Sequence, residues 1–403
     1  MGLKRYKLGD LIEVTRGQSL AGEFYAEEGK YIRLTLGNFD YANGGFKPNT
    51  SKTNLYYTGP IKEQFILEEG DIITPLTEQT PGLLGSTARI PVSGTYIQSQ
   101  DVALVRCKDG MIDPAFCYYL LPSSSVKKQL AAGAQQTKIR HTSPDKIRDV
   151  VVDIPDISEQ RRIGQLLDAI THKIELNRSI NQNLEALAKQ LYDYWFVQFD
   201  FPNEEGRPYK SSGGAMVWNE KLKREIPKGW NHCTLEHYLN IKNGRDHKHL
   251  VSGLYPVYGS GGEMRRVSEG LYTGESVLMP RKGTLNNIMY VNETFWTVDT
   301  MFYSEMKVPH CAKFIFFTIK DIDFTRWDSG TGVPSMTAST LYAIPMLKPD
   351  NELLKRFDET ITQIFQQTKR LKAECEKLTK QRDELLPLLM NGQVSLNSDL
   401  SHD

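Results

Sequence analysis

The chain has 403 residues, of which 39% are hydrophobic and 24% are charged. A domain usually has about 100–200 residues, so this length predicts two or three domains with ordinary hydrophobic cores. No stretch approaches the ~20 apolar residues of a membrane span, and the charged N-terminus lacks the apolar run of a secretory signal. The composition therefore predicts a cytoplasmic protein without a membrane segment.

Cysteine spacing and net charge narrow the class further. The five cysteines are scattered with no C-x-x-C pair, which favours reduced thiols over a disulfide framework or a zinc site. Basic and acidic residues number 49 each, so the chain lacks the basic excess of a stand-alone DNA-binding protein. Either it does not bind nucleic acid, or its basic residues are clustered and partners neutralise part of the phosphate charge.

Residues 1–155 have the pattern of an α+β domain. Short β-branched and aromatic runs such as VALVRC predict strands, and they follow loops rich in Pro, Gly and Thr. Asp113-Pro114 opens a short apolar helix that runs through Leu121. Residues 125–150 hold six Lys or Arg against two Asp, which predicts a local basic patch.

A long helix is predicted over residues 156–199. Asp156 followed by Glu159 has capping-box chemistry, and no proline or glycine follows Gly164 until Pro202. One heptad row of apolar residues, interrupted by Asn177, predicts a contact stripe, and a companion row thickens it. The heptad row is Ile163, Ile170, Leu184 and Leu191, and the companion row is Leu166, Ile180, Leu187 and Tyr194.

The second half of the chain repeats this order. Residues 200–228 are rich in Gly, Ser, Pro and charge and predict a connector, which a second α+β domain follows over 229–348. A second long helix is predicted over 349–396, with Pro387 near its end and Asn391-Gly392 as a stop signal. Its heptad row is Phe357, Ile364, Leu371, Leu378 and Leu385.

A shift of 194 positions superposes the two helices, because it lays Pro155 on Pro349 and one heptad row on the other. About 40 residues make a helix of roughly 60 Å, and its single apolar stripe needs a partner, most simply the other copy. The alternative is two separate amphipathic helices on their own domains, which the matched length and register disfavour. The globular parts repeat more faintly: residues 8–17 resemble 235–244, residues 69–73 resemble 273–278, and residues 312–319 are the counterpart of the helix after Asp113.

Catalytic motifs are absent from the sequence. The loop from Tyr258 to Gly262 resembles a nucleotide-binding loop, but Met264 stands where the last glycine of G-x-G-x-x-G belongs. There is no P-loop, no methyltransferase motif of the N-P-P-Y type, and no carboxylate cluster with a lysine that would hold Mg²⁺ for a nuclease. His247-x-His249 is half a metal site at most, and a solvated basic loop is the simpler interpretation. The sequence predicts a non-catalytic protein without a metal site.

Two loops carry chemistry suited to DNA. Residues 74–81 of the first domain correspond to residues 279–284 of the second, and hydroxyl, amide and basic side chains are the groups that contact base edges and phosphates. A solvated charged face is the alternative for each basic cluster. The candidate DNA-contacting residues are Thr77, Gln79, Thr80, Lys138, Arg140 and His141 in the first domain and Lys242, Arg245, Ser260, Arg265, Arg281, Lys282 and Asn286 in the second.

Several stretches together resemble the specificity subunits of type I restriction–modification systems. The passage between the two halves carries most of the likeness, and the loop after Tyr255 and the start of the first long helix add to it. These stretches are residues 196–202, 208–214, 226–230, 255–262 and 154–160. One departure is that Glu159-Gln160 of the first helix has no match at Leu353-Leu354 of the second.

The resemblance implies a non-catalytic subunit with two target-recognition domains and a pseudo-twofold tandem repeat. Each domain would read one half of a split site on double-stranded DNA, and the two helices would pair as an antiparallel coiled coil that sets the gap. In this family the subunit assembles with two methyltransferase subunits that use S-adenosylmethionine, and with restriction and translocase subunits that use ATP and Mg²⁺. No cofactor is expected in the chain itself.

Two other classes remain as alternatives. A coiled-coil adaptor whose globular domains bind proteins would share the helices, and binding of the assembled complex to DNA would separate the two. A fused restriction–modification enzyme would need catalytic motifs that the sequence lacks.

Overall fold

The computed structural model describes residues 2–78, 82–133, 140–327, 335–394 and 396. The chain divides into two units, one formed by Met1–Asn177 with Ala373–Asp403 and the other by Arg178–Lys372. Each unit therefore contains one globular domain and one half of each long helix. None of the helices within these described ranges has both the length and the apolar character needed to cross a membrane.

The first unit is an α+β domain with helix halves packed on it. Its strands are β1 (Lys4–Lys7), β2 (Ile12–Arg16), β3 (Tyr25–Ala26), β4 (Tyr31–Arg33), β5 (Tyr56–Tyr57), β6 (Ile72–Pro75), β7 (Thr77–Glu78), β8 (Ala88–Arg89), β9 (Tyr96–Ile97), β10 (Val102–Cys107), β11 (Arg140–His141) and β12 (Val151–Ile154). Its helices are α1 (Leu8–Leu11), α2 (Pro114–Leu120), α3 (Ser124–Gly133), α4 (Pro144–Arg148) and the first part of α5 (Ile157–Tyr192). The central sheet has the order β2-β10-β6-β8, and smaller sheets pair β1 with β12 and β7 with β11.

The second unit has a larger sheet, of order β16-β21-β19-β20-β17-β18, beside the pairs β13-β14 and β15-β22. Its strands are β13 (Met216–Asn219), β14 (Arg224–Pro227), β15 (Asn231–Thr234), β16 (Leu239–Asn243), β17 (Ser252–Gly259), β18 (Gly262–Val267), β19 (Tyr272–Pro280), β20 (Met289–Thr297), β21 (Met301–Met306) and β22 (Pro345–Lys348). Its helices are α6 (Leu235–Tyr238), α7 (Ala312–Lys320), α8 (Ala338–Tyr342) and the first part of α9 (Asn351–Met390), with a π-helical turn at Asp193–Val197 after α5.

Strand register confirms the tandem repeat. β1 pairs with β12 so that Lys4 faces Ile154, and β15 pairs with β22 so that Asn231 faces Lys348. β10 pairs with both β2 and β6, and β21 pairs in the same way with β16 and β19. The faint resemblance of residues 8–17 to 235–244 is therefore one element built twice, a short helix followed by a strand: α1 with β2 and α6 with β16.

The start of α5 corrects the predicted capping box. Oδ1 of Asp156 accepts the backbone N–H of Glu159 at 3.0 Å, as an N-cap should, but the Glu159 side chain does not return to it. Glu159 instead pairs with Arg162 and accepts the N–H of Leu396 at 3.2 Å. The neighbouring Gln160 amide accepts the N–H of Asp113 at 2.9 Å, so this part of the helix is tied to the domain.

In the first unit the two helices run antiparallel. Asn177 Nδ2 donates to Glu374 Oε2 at 2.9 Å, and Cys375 Sγ lies 3.7 Å from the carbonyl oxygen of Ile174. Nearer the start of α5, Ile163 shares a hydrophobic core with Leu389 at the end of α9. Residue numbers thus rise along one helix as they fall along the other, which is the arrangement of an antiparallel coiled coil.

The helix halves of the second unit also run antiparallel. Lys372 Nζ lies 3.0 Å from Glu185 Oε1, while in the π-helical turn after α5 the rings of Trp195 and Phe196 pack against Phe357, with ring centroids 5.6 and 4.9 Å apart. Of the predicted heptad positions in both units, Ile163, Phe357 and Leu371 are buried, and the half-buried ones are Ile170, Leu184, Leu191, Ile364, Leu378 and Leu385.

The companion row predicted for α5 is only partly correct, because Leu166 is half-buried and packs against the core of the first unit but the other three members do not lie in the buried stripe. Ile180, Leu187 and Tyr194 are 36–44% exposed. The second buried row instead lies four residues after each heptad position, at Leu167, Ile174, Asn181 and Ala188. On a helix, the rows three and four residues after the heptad positions both lie beside the heptad row. In α5 the larger apolar side chains occupy the row three residues on, most of which faces away from the partner helix.

The end of α9 agrees with the predicted stop signal at Asn391-Gly392. Pro387 lies inside the last turns, and the helix ends at Met390. Gly392 has a φ of +64°, and its N–H donates to Leu389 O at 3.2 Å, which closes the helix with a left-handed residue.

Candidate nucleic-acid interface

In the first unit the loop after β6 is held between two other segments. The N–H of Leu76 donates to Asp101 O at 2.8 Å, and the N–H of Thr142 donates to Leu76 O at 2.9 Å. These bonds bring the loop after β6, the segment before β10 and the segment before α4 to one place. We call this set the first edge, and it comprises residues 17–18, 76–78, 98–101 and 140–142.

The candidates of the first edge lie on the short ladder of β7 and β11, where His141 faces Thr77 and Arg140 faces Glu78. Thr77 is only 6% exposed, so in this arrangement its side chain belongs to the fold and not to the surface. His141 is exposed, and the Arg140 side chain is 35% exposed. The candidates Gln79, Thr80 and Lys138 lie outside the described residues.

The second unit repeats this framework bond for bond. The N–H of Arg281 donates to Thr300 O at 2.8 Å, and the N–H of Met336 donates to Arg281 O at 2.9 Å. Lys282 and Ser335 form an antiparallel β-bridge through their backbones. Arg281 therefore takes the place of Leu76, and Lys282 that of Thr77. We call the corresponding set the second edge, which comprises residues 244–245, 281–283, 297–300 and 335–336.

A glycine in each edge lets two backbone segments approach each other closely. A Cβ placed on Gly17 would lie 2.3 Å from a backbone carbonyl oxygen, and one on Gly244 would lie 2.0 Å from another, so only glycine fits at either position. The next residue is then fixed against the crossing segment: the N–H of Gln18 donates to Gln98 O at 3.2 Å, and that of Arg245 donates to Thr297 O at 2.8 Å. Arg245 was among the predicted DNA-contacting residues and Gln18 was not, although both follow the glycine of the repeated element.

Three cations of the second edge are free to meet a ligand. Arg245, Arg281 and Lys282 are exposed, and their side chains have no hydrogen bond or ion pair within the described part of the chain. Their backbone N–H groups all donate to the end of β20 or the turn after it, at Thr297 or Thr300, so the three side chains start from neighbouring points. Backbone-anchored Arg and Lys side chains of this kind suit phosphates and guanine edges.

Other predicted cations of the second unit are engaged within the protein. Lys242 Nζ lies 3.5 Å from Glu305 Oε2, and Arg265 Nη2 donates to Leu250 O at 2.6 Å. These contacts leave Arg265 half-buried, while Lys242 remains exposed. Both can still contribute positive potential, but their donors are less available than those of the three free cations.

Ser260 and Asn286 lie beside the second edge. Asn287 Nδ2 donates to Ser260 O at 2.8 Å, which joins the turn between β17 and β18 to the loop after β19. The Asn286 amide accepts the N–H of Phe324 at 2.8 Å and donates to Asp323 at 3.1 Å, so both its ends are used internally. Hydrogen bonds from Thr325 and then Asn286 lower the pKa of Asp323 to about 2.

The two histidines considered as half a metal site do not form one in the described structure. The ring of His249 packs edge-on to Trp296, with 6.1 Å between ring centroids, and Trp296 Nε1 donates to Arg245 O at 2.9 Å. Within the described residues there is no group of three His, Cys, Asp or Glu side chains placed to hold a metal ion. The stretch from Arg245 to His249 instead supports the second edge.

Similarity to known proteins agrees with this architecture. Residues 2–186 match the family described as "Type I restriction modification DNA specificity domain". The chain is 23% identical over 318 residues to the MjaIX specificity subunit of a type I restriction enzyme from Methanocaldococcus jannaschii, covering 71% of this chain and 70% of that one. It is 21% identical over 377 residues to the HindI specificity subunit from Haemophilus influenzae, covering 74% and 81%.

A solved structure shares the fold. The crystal structure of a type I restriction–modification S subunit from M. genitalium superposes with a TM-score of 0.66 at 18% identity, and the match covers 96% of each chain. Residues 2–186 thus carry a type I restriction–modification DNA specificity domain, the second unit repeats its framework, and the chain is similar to type I specificity subunits over most of its length.

Proposed function

We propose that this chain is the non-catalytic, DNA sequence-specificity subunit of a type I restriction–modification complex. The observation that carries the proposal is that both units hold the same backbone framework at their edges but present different side chains. The first edge offers Arg140 and His141, and the second offers Arg245, Arg281 and Lys282. A shared backbone framework that presents different side chains in each unit suits a protein that reads two different half-sites.

Residues 1–155 and 229–348 are, in this proposal, the two target-recognition domains, and the residues between them form a connector. The paired helices set the number of unread base pairs between the half-sites. Support comes from the antiparallel contacts within each unit, such as Asn177 with Glu374 and Lys372 with Glu185.

The partners follow from the family. Double-stranded DNA is the ligand, two methyltransferase subunits supply S-adenosylmethionine chemistry, and restriction and translocase subunits supply ATP- and Mg²⁺-dependent steps. The balanced charge of the chain, 49 basic against 49 acidic residues, fits a subunit whose partners share the phosphate contacts. The isolated chain should therefore bind its target weakly and with a shallower salt dependence than the assembled complex.

Methylation mapping tests the function directly. Co-expression of the chain with its methyltransferase subunit should produce adenine methylation in a bipartite motif, and loss of the chain should abolish it. Alanine at Arg281 and Lys282 should change only one half of the motif, while Lys221→Ala, an exposed lysine of the same unit, should leave both halves intact. Methylation that did not depend on the chain would overturn the proposal and favour an adaptor.

A further inference from the structure

Glu78 is a buried carboxylate at the first edge. It is 2% exposed, and its Oε2 accepts two backbone N–H groups, from Leu83 at 2.8 Å and Leu84 at 3.0 Å. Burial of an ionised carboxylate is costly unless its oxygens are paired. One oxygen of Glu78 is thus fully engaged in holding the chain that follows the loop after β6.

The other oxygen is not satisfied in the same way. Oε1 of Glu78 is buried and has no hydrogen-bond partner in the described part of the chain, and Arg140 Nη1 lies 3.6 Å away. That distance is within ion-pair range but beyond a hydrogen bond. The two residues face each other directly across the ladder of β7 and β11, so a small rotation of the guanidinium closes the gap.

The other groups near Glu78 are less suited than Arg140 to pair with its Oε1. Lys127 Nζ already donates to Gly82 O at 3.1 Å. Burial, and secondarily the charge of Glu78, raise the pKa of Tyr41 to about 12, so this phenol stays neutral near the carboxylate. Arg140 is the partly exposed cation that can contact both the buried carboxylate and a ligand outside.

A guanidinium has five N–H donors in a planar fork, so one end can bond a carboxylate while the other faces a base. Guanine offers N7 and O6 as paired acceptors in the major groove, the pair that an arginine fork fits. We propose that Glu78 is a positioning residue that holds the Arg140 guanidinium for recognition of a guanine in the first half-site. This assignment rests on the proposed DNA-reading function.

Among its described residues, the second edge has no carboxylate equivalent to Glu78. Lys282 corresponds to Thr77, so the position of Glu78 is taken by Gly283, which has a φ of +88° and no side chain. A Cβ there would also lie 2.8 Å from Ser260 Oγ. Recognition through a carboxylate-held arginine is therefore confined to one half-site, and the other half-site serves as an internal control.

Methylation mapping of the assembled complex tests the role of Glu78. Glu78→Gln keeps the size of the side chain but removes its charge, and we expect the preference for guanine at one position of one half-site to fall roughly tenfold or more. Arg140→Lys should relax the same position, and the double variant should be no worse than Arg140→Lys alone. Glu68→Gln, an exposed carboxylate of the same unit, should change nothing.

Each other outcome has a defined meaning. Unchanged selectivity in Glu78→Gln, or relaxation at a position that Arg140→Lys leaves intact, overturns the assignment. Equal loss at both half-sites together with a lowered melting temperature indicates a purely structural role, which also overturns it. If Glu78→Gln does not fold, Arg140→Lys still decides, because an unaltered motif in that variant refutes the proposal. Failure of the unsubstituted complex to give a bipartite motif refutes the proposed function itself.

Discussion

Lys313 Nζ lies 2.6 Å from Oδ1 of Asp358, and the equivalent contact in the first unit is Ala115 against Gly164. Asp358 and Gly164 are related by the 194-residue shift, and Lys313 and Ala115 are each the second residue of their helix. The same helix crossing is thus made by a buried ion pair in one unit and by two small residues in the other. Each domain is fitted to its own long helix.

The ion pair should contribute strongly to the stability of the second unit. Lys313 is 3% exposed, and Asp358→Ala would leave its ammonium with Glu275 Oε1, at 2.8 Å, as its remaining anionic partner. Breaking a buried pair costs roughly 3–5 kcal/mol, and Glu275 should keep the loss near the lower end. The free energy of unfolding of the full chain in urea measures it.

A nearby exposed residue provides the control for that experiment. Glu359→Ala on the same helix should change the free energy of unfolding by no more than about 0.5 kcal/mol. A double variant, Lys313→Ala with Asp358→Ala, should lose less free energy of unfolding than the two single variants together. In the double variant neither charge of this pair is left buried without the other. Additive losses would mean that the two side chains do not interact.

Gly164→Ala should destabilise the first unit, against the usual trend for helices. Alanine normally gains about 0.5–1 kcal/mol over glycine inside a helix. Here the new Cβ would lie 2.8 Å from the Cβ of Ala115 and 2.9 Å from the backbone nitrogen of Phe116, so overpacking should cost roughly 1–3 kcal/mol. Thermal unfolding gives the sign, and a rise in melting temperature would contradict the close packing.

The cap of α5 predicts a pH dependence. Hydrogen bonds from Ser158 and from the N–H of Glu159 lower the pKa of Asp156 below its ordinary value. A lowered folded-state pKa means that the charge stabilises the helix above the unfolded pKa of about 4 and that this contribution is lost as the pH falls through the folded value. Asp156→Asn should therefore be less stable than the original chain at pH 7, and the difference in the free energy of unfolding should shrink as the pH falls below the unfolded pKa of about 4.

The salt dependence of DNA binding should report the free cations of the second edge. Each of Arg245, Arg281 and Lys282 that contacts a phosphate contributes about 0.9 to the slope of log K against log salt. Replacing one of them by alanine should lower the slope of the assembled complex by about that amount, whereas Lys221→Ala should not. An unchanged slope in all three variants would place the phosphate contacts elsewhere.

The helices were more predictable than the edges. A heptad row is a local pattern, so Ile163 and Phe357 could be assigned to the buried stripe from spacing alone. The choice between rows three and four residues further on depends on the partner helix, which is why Leu187 was misassigned and Ala188 was overlooked. Neighbouring sequence holds no information about which of two adjacent rows faces the partner.

The edges depend on contacts between distant segments. Gln18 reaches Gln98, and Leu76 reaches Asp101, only because β2, β10 and β6 lie side by side, and no short motif marks these contacts. Glu78 was missed because a carboxylate beside DNA is unfavourable by charge alone, and its role emerges only from the facing position of Arg140. The one available signal was the residue after the repeated glycine, which is Gln18 in one unit and Arg245 in the other.

The paired helices predict how the unread gap would change with their length. One heptad adds about 10.5 Å to a helix, which corresponds to roughly three base pairs of DNA. Because Asn177 contacts Glu374 and Glu185 contacts Lys372, seven residues inserted after Asn177 must be matched by seven inserted before Ala373. Methylation mapping should then show a gap longer by about three base pairs with both half-sites unchanged.

An insertion in one helix only is the matched control. Seven extra residues after Asn177 in α5 alone would shift the buried Asn181 and Ala188 past α9 without a counterpart, so the pairing has to loop out or lose contacts. The free energy of unfolding should fall and methylation should weaken, with no defined longer gap. If the matched insertion instead altered the half-site bases and kept the original gap, the helices would not set the spacing, and the connector at 200–228 would be the element to test.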